Sequence, residues 1–589
     1  MDSMEIDEAL EATRPLGRTQ ILLLIVVSLV NIQIAFLVVS VVFYAEVQPH
    51  HCALAATGYT INDSIPIQDG VLSRCEEFVE PPGEAGENTQ SCSNGWEYET
   101  ELYGQSIVSE WDLVCERDFL PDLSQTILFC GMAAGSIIAG PVSDKYGRKP
   151  TAIGGVILFN IIGIAVTFSP NYIVFVILRF LLATIFKSIL IPLNTLLFES
   201  LVPRHRSLIG SIPAPIFTIG LILMAGIAYL LRDWRYFNLV MMSPGLIIMM
   251  ISWKLPESAR WLLSQGKQER AETVIRKVAK FNKSSIESIT LSCNMPIQEN
   301  RDVMSTTTFD QISIAENIPA SDNKKNNTGS FKDLFKPPTL TVTVILTWLW
   351  ISYTLGYFGF ALTTGNLAGD PYLNFFLSGL IELPARILPL FIVKRTGSLL
   401  PLIIGFALSS LTMIGIVVAR HEAENRGEEH GLDLLLTILA LLGKFFAAFV
   451  FVPSNLLMVE LFPTTIRNSG TGVVQLIGNI GSLAVPLLIY LDKFVLNLPF
   501  IIMATASMIA SGLCFLLPET LNTVQPETPA DLQLLFDSRR LCRRKQKVFQ
   551  VNSPEGEKTH GLDHEIKTIS ANTLDEDLDQ GRNNIGFDP

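Results

Sequence analysis

Long apolar segments of membrane-spanning length alternate with short polar segments along most of the chain. Six of them precede a polar region at 255–338 and six follow it. Because about 20 apolar residues cross a bilayer as a helix, the pattern predicts an all-α membrane protein of twelve transmembrane helices in two six-helix halves. The predicted helices lie near 19–45, 124–143, 150–168, 172–197, 208–230, 236–254, 340–362, 372–393, 399–419, 432–458, 468–490 and 497–517.

The same pattern divides the chain into regions. It predicts an N-terminal lead at 1–19 and a first half at 20–254, which contains a long polar loop at 46–122. The central loop at 255–338 begins with an amphipathic helix, and the second half covers 339–519. The tail at 520–589 is polar and acidic, a composition typical of disorder, and its basic run at 538–547 contains Cys542, a palmitoylation candidate.

Composition supports a membrane protein and excludes several other classes. Of 589 residues, 49% are apolar and only 17% are charged. The net charge of −13 arises from acids in the lead, the first loop and the tail, and no basic stripe suggests a nucleic-acid partner. The acidic first residues argue against a cleavable signal peptide. No phosphate-binding loop, nucleophile elbow, dinucleotide fingerprint or zinc signature is present, so we expect no enzyme activity, no cofactor and no metal site.

The basic residues of the short connections predict the orientation. They gather on one side of the predicted bundle, and the positive-inside rule makes that side, with both termini, cytoplasmic. We expect the protein in the plasma membrane. The loop at 46–122 is then extracellular, where Asn62 heads a glycosylation sequon and four cysteines predict two disulfides, with three pairings possible. The sequons at Asn282 and Asn326 fall on the cytoplasmic side and are predicted to stay unmodified. The four cysteines are Cys52, Cys75, Cys92 and Cys115.

Landmarks repeat between the two halves. An acid is followed by an arginine seven positions later at Glu199 and again at Glu460. The motif Leu-Pro-Glu ends both the sixth and the twelfth apolar segment, and the turn at 394–397 is a partial copy of the turn at 144–147. The repeat predicts two related six-helix units with a site between them near the middle of the membrane.

Several motifs together resemble one transporter family. The turn GPVSDKYGRK at 140–149, where we expect Gly140 to allow close helix contact and Gly147 to permit the turn, is similar to the signature of the major facilitator superfamily. The segments SEWDLVC at 109–115, PESARWLL at 256–263 and ELFPTTIRNSG at 460–470, with the large cysteine loop, resemble its organic cation, anion and zwitterion transporters. The resemblance covers roughly 15–525 and implies a carrier whose halves rock about a central site.

Charged residues at the cytoplasmic helix ends are predicted to form ion-pair networks that act as a gate. Their duplicated placement in the two halves motivates this hypothesis. The gate residues are Asp144, Arg148, Glu199, Arg206, Glu257, Arg260, Glu460 and Arg467.

Charges inside the apolar segments are candidates for substrate contact, because a charge in a bilayer is costly. Lys187 and Arg179 lie in the fourth segment, where Arg179 resembles a structural or coupling arginine of the superfamily. Glu382 and Arg386 are one turn apart, so they either pair with each other or line the cavity together. Lys444 either contacts substrate or lies near the membrane end and snorkels.

Asn479 departs from the family that the chain resembles. Its position often holds Asp in cation carriers and Arg in anion or carnitine-type carriers, whereas the position of Arg386 is basic in anion carriers. Since Asn479 is neutral, the remaining candidates Lys187, Arg386 and Lys444 outweigh Glu382, and we expect an anionic or zwitterionic substrate slightly ahead of a cation.

Aromatic residues of the seventh segment are candidates for the apolar part of a substrate. Trp350 and Tyr357 are seven positions apart and so share one helix face, and Phe358 follows them. Packing within the protein or against lipid would also account for them. Phe446 and Phe451 in the tenth segment are weaker candidates.

The sequence therefore predicts a secondary-active or facilitative transporter of small organic ions that works by alternating access. Its partners are the organic ion substrate, the lipid bilayer and a coupling ion or counter-substrate. An organic cation transporter is the alternative within the class. A non-transporting receptor or scaffold on the same fold, or an ion channel, is the alternative from another class.

Overall fold

The computed structural model of the chain describes residues 6–53, 64–68, 71–79, 89–99, 104–284, 331–364, 369–426, 432–463, 466–521, 526 and 528–536. All the helices named below belong to one compact unit that ends at Leu532. Asn62, Asn326 and Cys542, and the tail beyond residue 536, lie outside the described residues.

The membrane helices follow the apolar segments closely. Eleven helices of the described part are long and apolar enough to cross a membrane, and a shorter apolar helix follows them, as the hydropathy pattern predicts. In chain order they are α1 Arg18–Tyr44, α2 Leu120–Tyr146, α3 Arg148–Thr167, α4 Tyr172–Glu199, α5 Arg204–Leu230, α6 Trp234–Ser252, α7 Thr339–Thr363, α8 Pro371–Thr396, α9 Leu399–Arg426, α10 Asp433–Leu461, α11 Ser469–Leu491 and α12 Leu498–Cys514.

The helices form two halves, α1–α6 and α7–α12, which meet along two seams. In one seam α5 packs against α8, and in the other α2 packs against α11. Within the first half, α2 packs so closely on α4 that a Cβ at Gly131 or Gly135 would overlap the α4 backbone. The expectation for Gly140 is wrong, since its Cα faces open space.

The polar loop between α1 and α2 contains three small antiparallel sheets in its described part. Strand β1 (His50–Cys52) pairs with β6 (Trp96–Tyr98), β2 (Ile67–Gln68) with β3 (Val71–Leu72), and β4 (Glu76–Phe78) with β5 (Thr89–Ser91). Disulfides join Cys52 to Cys92 and Cys75 to Cys115, which selects one of the three possible pairings. We call the membrane side that carries this loop the loop side.

The segment before α2 anchors the loop to the first half. Glu110 accepts a 2.7 Å hydrogen bond from the Trp234 indole at the start of α6 and pairs with Arg235. Trp111 packs edge-on against Trp234, with ring centroids 5.5 Å apart, and also against Phe175 of α4. The motif that resembled the transporter family thus fixes the end of the loop onto the membrane helices.

The opposite side, which we call the terminal side, carries a small helical cap. The helix Ile6–Ala12 packs on Ala259–Ser264 and Gln268–Asn282. Asn282 is 2% exposed, and its Oδ1 accepts from the backbone N and the Oγ1 of Thr19 at 2.9 and 3.0 Å. Its Nδ2 also donates to the Thr13 carbonyl, so both ends of the amide are hydrogen-bonded; that this sequon stays unmodified remains a prediction.

Candidate functional site

One buried carboxylate, Glu382 of α8, organises the charges of the second half. Its Oε1 accepts from Arg386 Nε, one turn along the same helix, at 2.7 Å. Its Oε2 faces Lys444 Nζ of α10 at 3.6 Å. Glu382, Arg386 and Lys444 are 0%, 3% and 1% exposed, so solvent screens these interactions little. We call these three residues the charge cluster; it holds two cations and one anion.

Two further donors share Oε1 of Glu382. Tyr357 of α7 donates to it at 3.0 Å, and Thr218 of α5 donates to it at the same distance. Thr218 belongs to the first half, so this bond crosses the seam between the halves. Oε2 and the Lys444 ammonium have no hydrogen-bond partner of their own in the described part of the chain, which leaves both atoms with bonding capacity.

Aromatic rings surround the Arg386 guanidinium. The ring centroids of Phe217, Tyr357 and Phe451 lie 5.1, 5.1 and 5.0 Å from its Cζ. Cation–π contacts of this length are favourable, most of all where water is excluded. Tyr353 stacks on Tyr357 with centroids 5.7 Å apart and also contacts Phe451. We call Phe217, Tyr353, Tyr357 and Phe451 the aromatic wall.

Trp350 and Phe358 border the aromatic wall, whereas Phe446 packs edge-on against Phe445. Trp350 is 5.4 Å from Tyr353 and 6.1 Å from Phe451, centroid to centroid. Its indole packs on Gly478 of α11, where a Cβ would overlap it. Phe358 contacts Tyr357 in its own half and Phe129 of α2 across the second seam, at 5.1 Å.

Two polar candidates lie apart from the cluster. Lys187 of α4 is partly buried and packs its Cβ beside Gly135, and no acidic side chain among the described residues pairs with it. Asn479 is partly buried next to Gly478, where α11 changes from one helical stretch to another. No hydrogen bond or ion pair between described residues joins either of them to the charge cluster.

Arg179 of α4 is a structural arginine of the first half. It is 3% exposed and donates to Ser124 Oγ and Gln125 Oε1 of α2, both at 3.1 Å. Its guanidinium also lies 5.1 Å from the Tyr44 ring centroid. These contacts tie α4 to α1 and α2, so they support the structural interpretation of Arg179.

At the terminal side of the first half, Arg148 is the centre of a network. It pairs with Asp144 at 2.6 Å and with Glu199 at 3.2 Å. Glu257 Oε1 accepts from the backbone N of Arg148 and of Lys149 at 3.1 Å each. Gly147 takes a φ of 107°, which favours glycine, so the predicted turn is present.

The second half repeats this arrangement with hydroxyls in place of charges. Gly397 has a φ of 78°, and Glu519 accepts from the Ser398 backbone N at 3.3 Å, as Glu257 does in the first half. Glu460 accepts from Ser398 Oγ at 3.1 Å and from Thr520 Oγ1 at 2.6 Å, where its counterpart Glu199 meets an arginine.

The sequence comparisons agree with this architecture. The sequence profile of the Major Facilitator Superfamily matches residues 122–486. Solute carrier family 22 member 13 of Homo sapiens is 32% identical over 539 residues, which cover 88% of this chain and 91% of that protein. Solute carrier family 22 member 6-A of Xenopus laevis is 30% identical over 584 residues, with 94% and 99% covered. The chain belongs to solute carrier family 22 of the major facilitator superfamily.

The structural comparison supports the same fold. The xylose transporter XylE from E. coli, in a partially occluded inward open conformation, aligns with a TM-score of 0.57 and 16% identity over 86% of this chain and 99% of that chain. The predicted major facilitator fold with its two six-helix halves is confirmed. So is the motif-based resemblance to the organic ion transporters, which solute carrier family 22 comprises; its members are transporters and not enzymes.

For this member of solute carrier family 22, the structure brings four predicted residues into direct contact: Tyr357, Glu382, Arg386 and Lys444. The alternative that Lys444 snorkels to the membrane end is wrong, because its ammonium is buried beside Glu382. The predicted pairing of Glu382 with Arg386 is present, and both side chains also face the seam between the halves.

The gate residues also differ in detail from a simple pairing within each half. Glu199 pairs with Arg148, whereas Arg206 donates to the Leu201 carbonyl at 3.1 Å. Arg467 repeats this geometry in the second half and donates to the Phe462 carbonyl at 3.3 Å. Arg260 joins the cap instead, through Asp7 and the Glu199 carbonyl.

Sequence reasoning missed three residues of the site: Thr218, Phe217 and Tyr353. Tyr353 lies three positions after Trp350 and four before Tyr357, so the same helix-face argument would have found it. Phe217 and Thr218 sit in an apolar segment with no charge, and only the packing of α5 on α8 reveals their role.

Proposed function

We propose that this transporter carries small organic anions or zwitterions across the plasma membrane by alternating access. The substrate site combines the charge cluster, the aromatic wall and Lys187, and it lies between the two halves near the middle of the membrane. Its proposed residues are Lys187, Trp350, Tyr357, Phe358, Glu382, Arg386, Lys444 and Asn479.

The observation that carries the sign of the substrate is the sharing of one carboxylate by two cations. Glu382 contacts both Arg386 and Lys444, so the cluster keeps one uncompensated positive charge. Lys187 adds a second positive charge on the opposite half, and Asn479 adds none. An excess positive charge in a site of low dielectric constant attracts anions.

The aromatic wall supports a substrate with an apolar body. Arg386 already occupies the faces of three rings with its own guanidinium, so an organic cation would compete with a fixed positive charge for them. An anion with an aromatic body meets no such competition. Its aromatic body can stack on the rings that Arg386 does not face, while its charged group approaches a lysine.

The proposed orientation puts the loop side outside and both termini in the cytoplasm. The disulfides of the loop are typical of an oxidising compartment, and Asn62 in the same loop is a proposed glycosylation site.

On the cytoplasmic side, the networks around Arg148 and Glu460 are proposed gate elements, and we expect Asp144→Lys to impair uptake at normal surface expression.

Uptake in oocytes tests the sign of the substrate. Wild type is compared with Lys187→Gln and Asn479→Asp, using radiolabelled aromatic monocarboxylate, carnitine-like zwitterion and tetraalkylammonium, with surface biotinylation as the control. Both variants lower the positive charge of the site without stranding a buried partner, so uptake of the anion falls about tenfold, the effect of about 1.4 kcal/mol.

Two outcomes contradict the proposal. If only the tetraalkylammonium enters cells that express wild type, the chain is an organic cation transporter, as the name of its relative in Drosophila melanogaster, organic cation transporter-like protein, would suggest. If none of the three solutes enters although the protein reaches the surface, a receptor or scaffold function replaces transport. Coupling to an ion or a counter-substrate is tested by preloading the oocytes.

A further inference from the structure

The charge cluster of the second half is touched from the first half by two consecutive residues of α5. Thr218 donates to Glu382 Oε1 at 3.0 Å, and both side chains are 0% exposed. Phe217 lies with its ring centroid 5.1 Å from the Arg386 guanidinium. The contacts of the cluster therefore depend on the position of α5, which belongs to the other half.

The other contacts between the halves gather at the loop side. Phe43 of α1 stacks on Tyr372 of α8 with centroids 5.6 Å apart and planes at 8°, and it meets Phe375 edge-on at 4.9 Å. On the second seam, Lys493 pairs with Asp118 at 2.7 Å. The structure thus shows an arrangement in which the loop side is closed, and the bond from Thr218 belongs to that arrangement.

Opening the loop side requires α5 and α8 to separate. A hydrogen bond of 3.0 Å is lost when its atoms move apart by more than about half an ångström. Glu382 tolerates this loss, because Tyr357 and Arg386 still donate to the same Oε1 and both belong to its own half. The bond from Thr218 is therefore the one interaction at this oxygen that differs between closed and open arrangements.

We propose that Thr218 is a positioning residue that holds the loop-side-closed state through its hydrogen bond to Glu382. A solute that draws Lys444 or Arg386 away from Glu382 changes the charge and the position of the carboxylate that accepts from Thr218. Solute binding and movement of the halves are therefore linked. The inference rests on the proposed alternating access and orientation, but it is independent of the sign of the substrate.

Thiol accessibility tests this without any substrate. Ala361, near the loop-side end of α7, is 0% exposed and packs within the first-half core. In an Ala361→Cys, Cys130→Ser background, a membrane-impermeant methanethiosulfonate added outside reacts only when the loop side opens. Thr218→Val keeps the side-chain shape and removes the donor, so we expect the labelling rate to rise about tenfold, the lower range for a bond to a charged acceptor.

Three variants make the result specific. Thr218→Ser keeps the donor and restores the parent rate. Tyr357→Phe removes an equally long bond to the same oxygen from within the second half, and it leaves the labelling rate at the parent value. Thr343→Val removes a buried hydroxyl that, within the described part of the chain, donates to the Thr339 carbonyl of its own helix, and it serves as the folding control.

The outcomes separate this proposal from its rivals. If Thr218→Val labels at the parent rate, Thr218 does not hold the closed state. If Tyr357→Phe accelerates labelling as much as Thr218→Val, the effect comes from the charge of Glu382 and not from contact between the halves. Failure of anion uptake with an accelerated Thr218→Val would contradict only the proposed substrate.

Discussion

At the scale of single residues, the two oxygens of Glu382 have different tasks. Oε1 takes three donors, which come from α5, α7 and α8, whereas Lys444 is the only ionic partner of Oε2 among the described residues. One carboxylate thus fixes the geometry of the cluster through one oxygen and shares its charge through the other. Removing it would leave two cations buried without a counter-charge, which is the costly way to break a buried ion pair.

This predicts an unusual pattern of surface expression. Glu382→Gln should lower the amount of folded protein at the surface, since stranding buried cations costs about 3–5 kcal/mol. The double variant Glu382→Gln, Lys444→Gln returns the cluster to its original net charge and should recover expression in part. Surface biotinylation measures both, and equal loss in the single and the double variant would contradict the shared-charge account.

At the scale of structural elements, the loop between α1 and α2 is anchored where its sequence motif is strongest. Glu110 receives the Trp234 indole and the Arg235 guanidinium, and Trp111 packs on the same tryptophan. The anchor connects the disulfide-bonded loop to α6 of the first half. The motif therefore fixes the loop to the first half, and no hydrogen bond or ion pair between described residues joins it to the charge cluster.

Glu110→Ala should reduce surface expression and leave the apparent KM of the surviving protein unchanged. The reason is that Trp234 and Arg235 lose a partly buried acceptor that has no bond to the charge cluster among the described residues. Uptake normalised to surface protein measures the KM. A changed KM at full expression would show that the loop takes part in substrate binding.

The loop-side closure should also depend on pH through Glu46, which follows α1. Burial, and then the nearby Asp370 of the second half, raise the pKa of Glu46 above its ordinary value of 4.5. Because opening would move Glu46 away from Asp370 of the other half, we expect the closed state to bind this proton more tightly than the open state. Closure is then favoured at low pH and weakens as pH rises through the raised pKa.

The Ala361→Cys reporter measures this dependence. The labelling rate should rise with pH for two reasons: the thiol ionises, and the loop side opens more often. Glu46→Gln should remove the second contribution and leave the first. Identical pH profiles with and without Glu46→Gln would show that this carboxyl does not sense closure.

At the scale of the whole molecule, the duplicated fold was predictable and the contacts between its halves were not. Apolar segments gave the helices, and the repeated Leu-Pro-Glu gave the counterpart positions of Glu257 and Glu519, which accept backbone N–H groups in the same way. The roles of Thr218 and Phe217 depend on the packing of α5 against α8. No charged residue and no repeated pattern in that segment predicts this packing. The pairing of Lys444 with Glu382 could not be predicted either, because the two residues lie on different helices.

We infer that the proposed site selects a negative group on an apolar body. The most direct measurement is uptake by the purified protein in proteoliposomes of two radiolabelled solutes that share a benzyl group, phenylacetate and benzyltrimethylammonium. We expect saturable uptake of phenylacetate, reduced by Lys187→Gln, and little uptake of benzyltrimethylammonium. Saturable uptake of benzyltrimethylammonium without uptake of phenylacetate would contradict it.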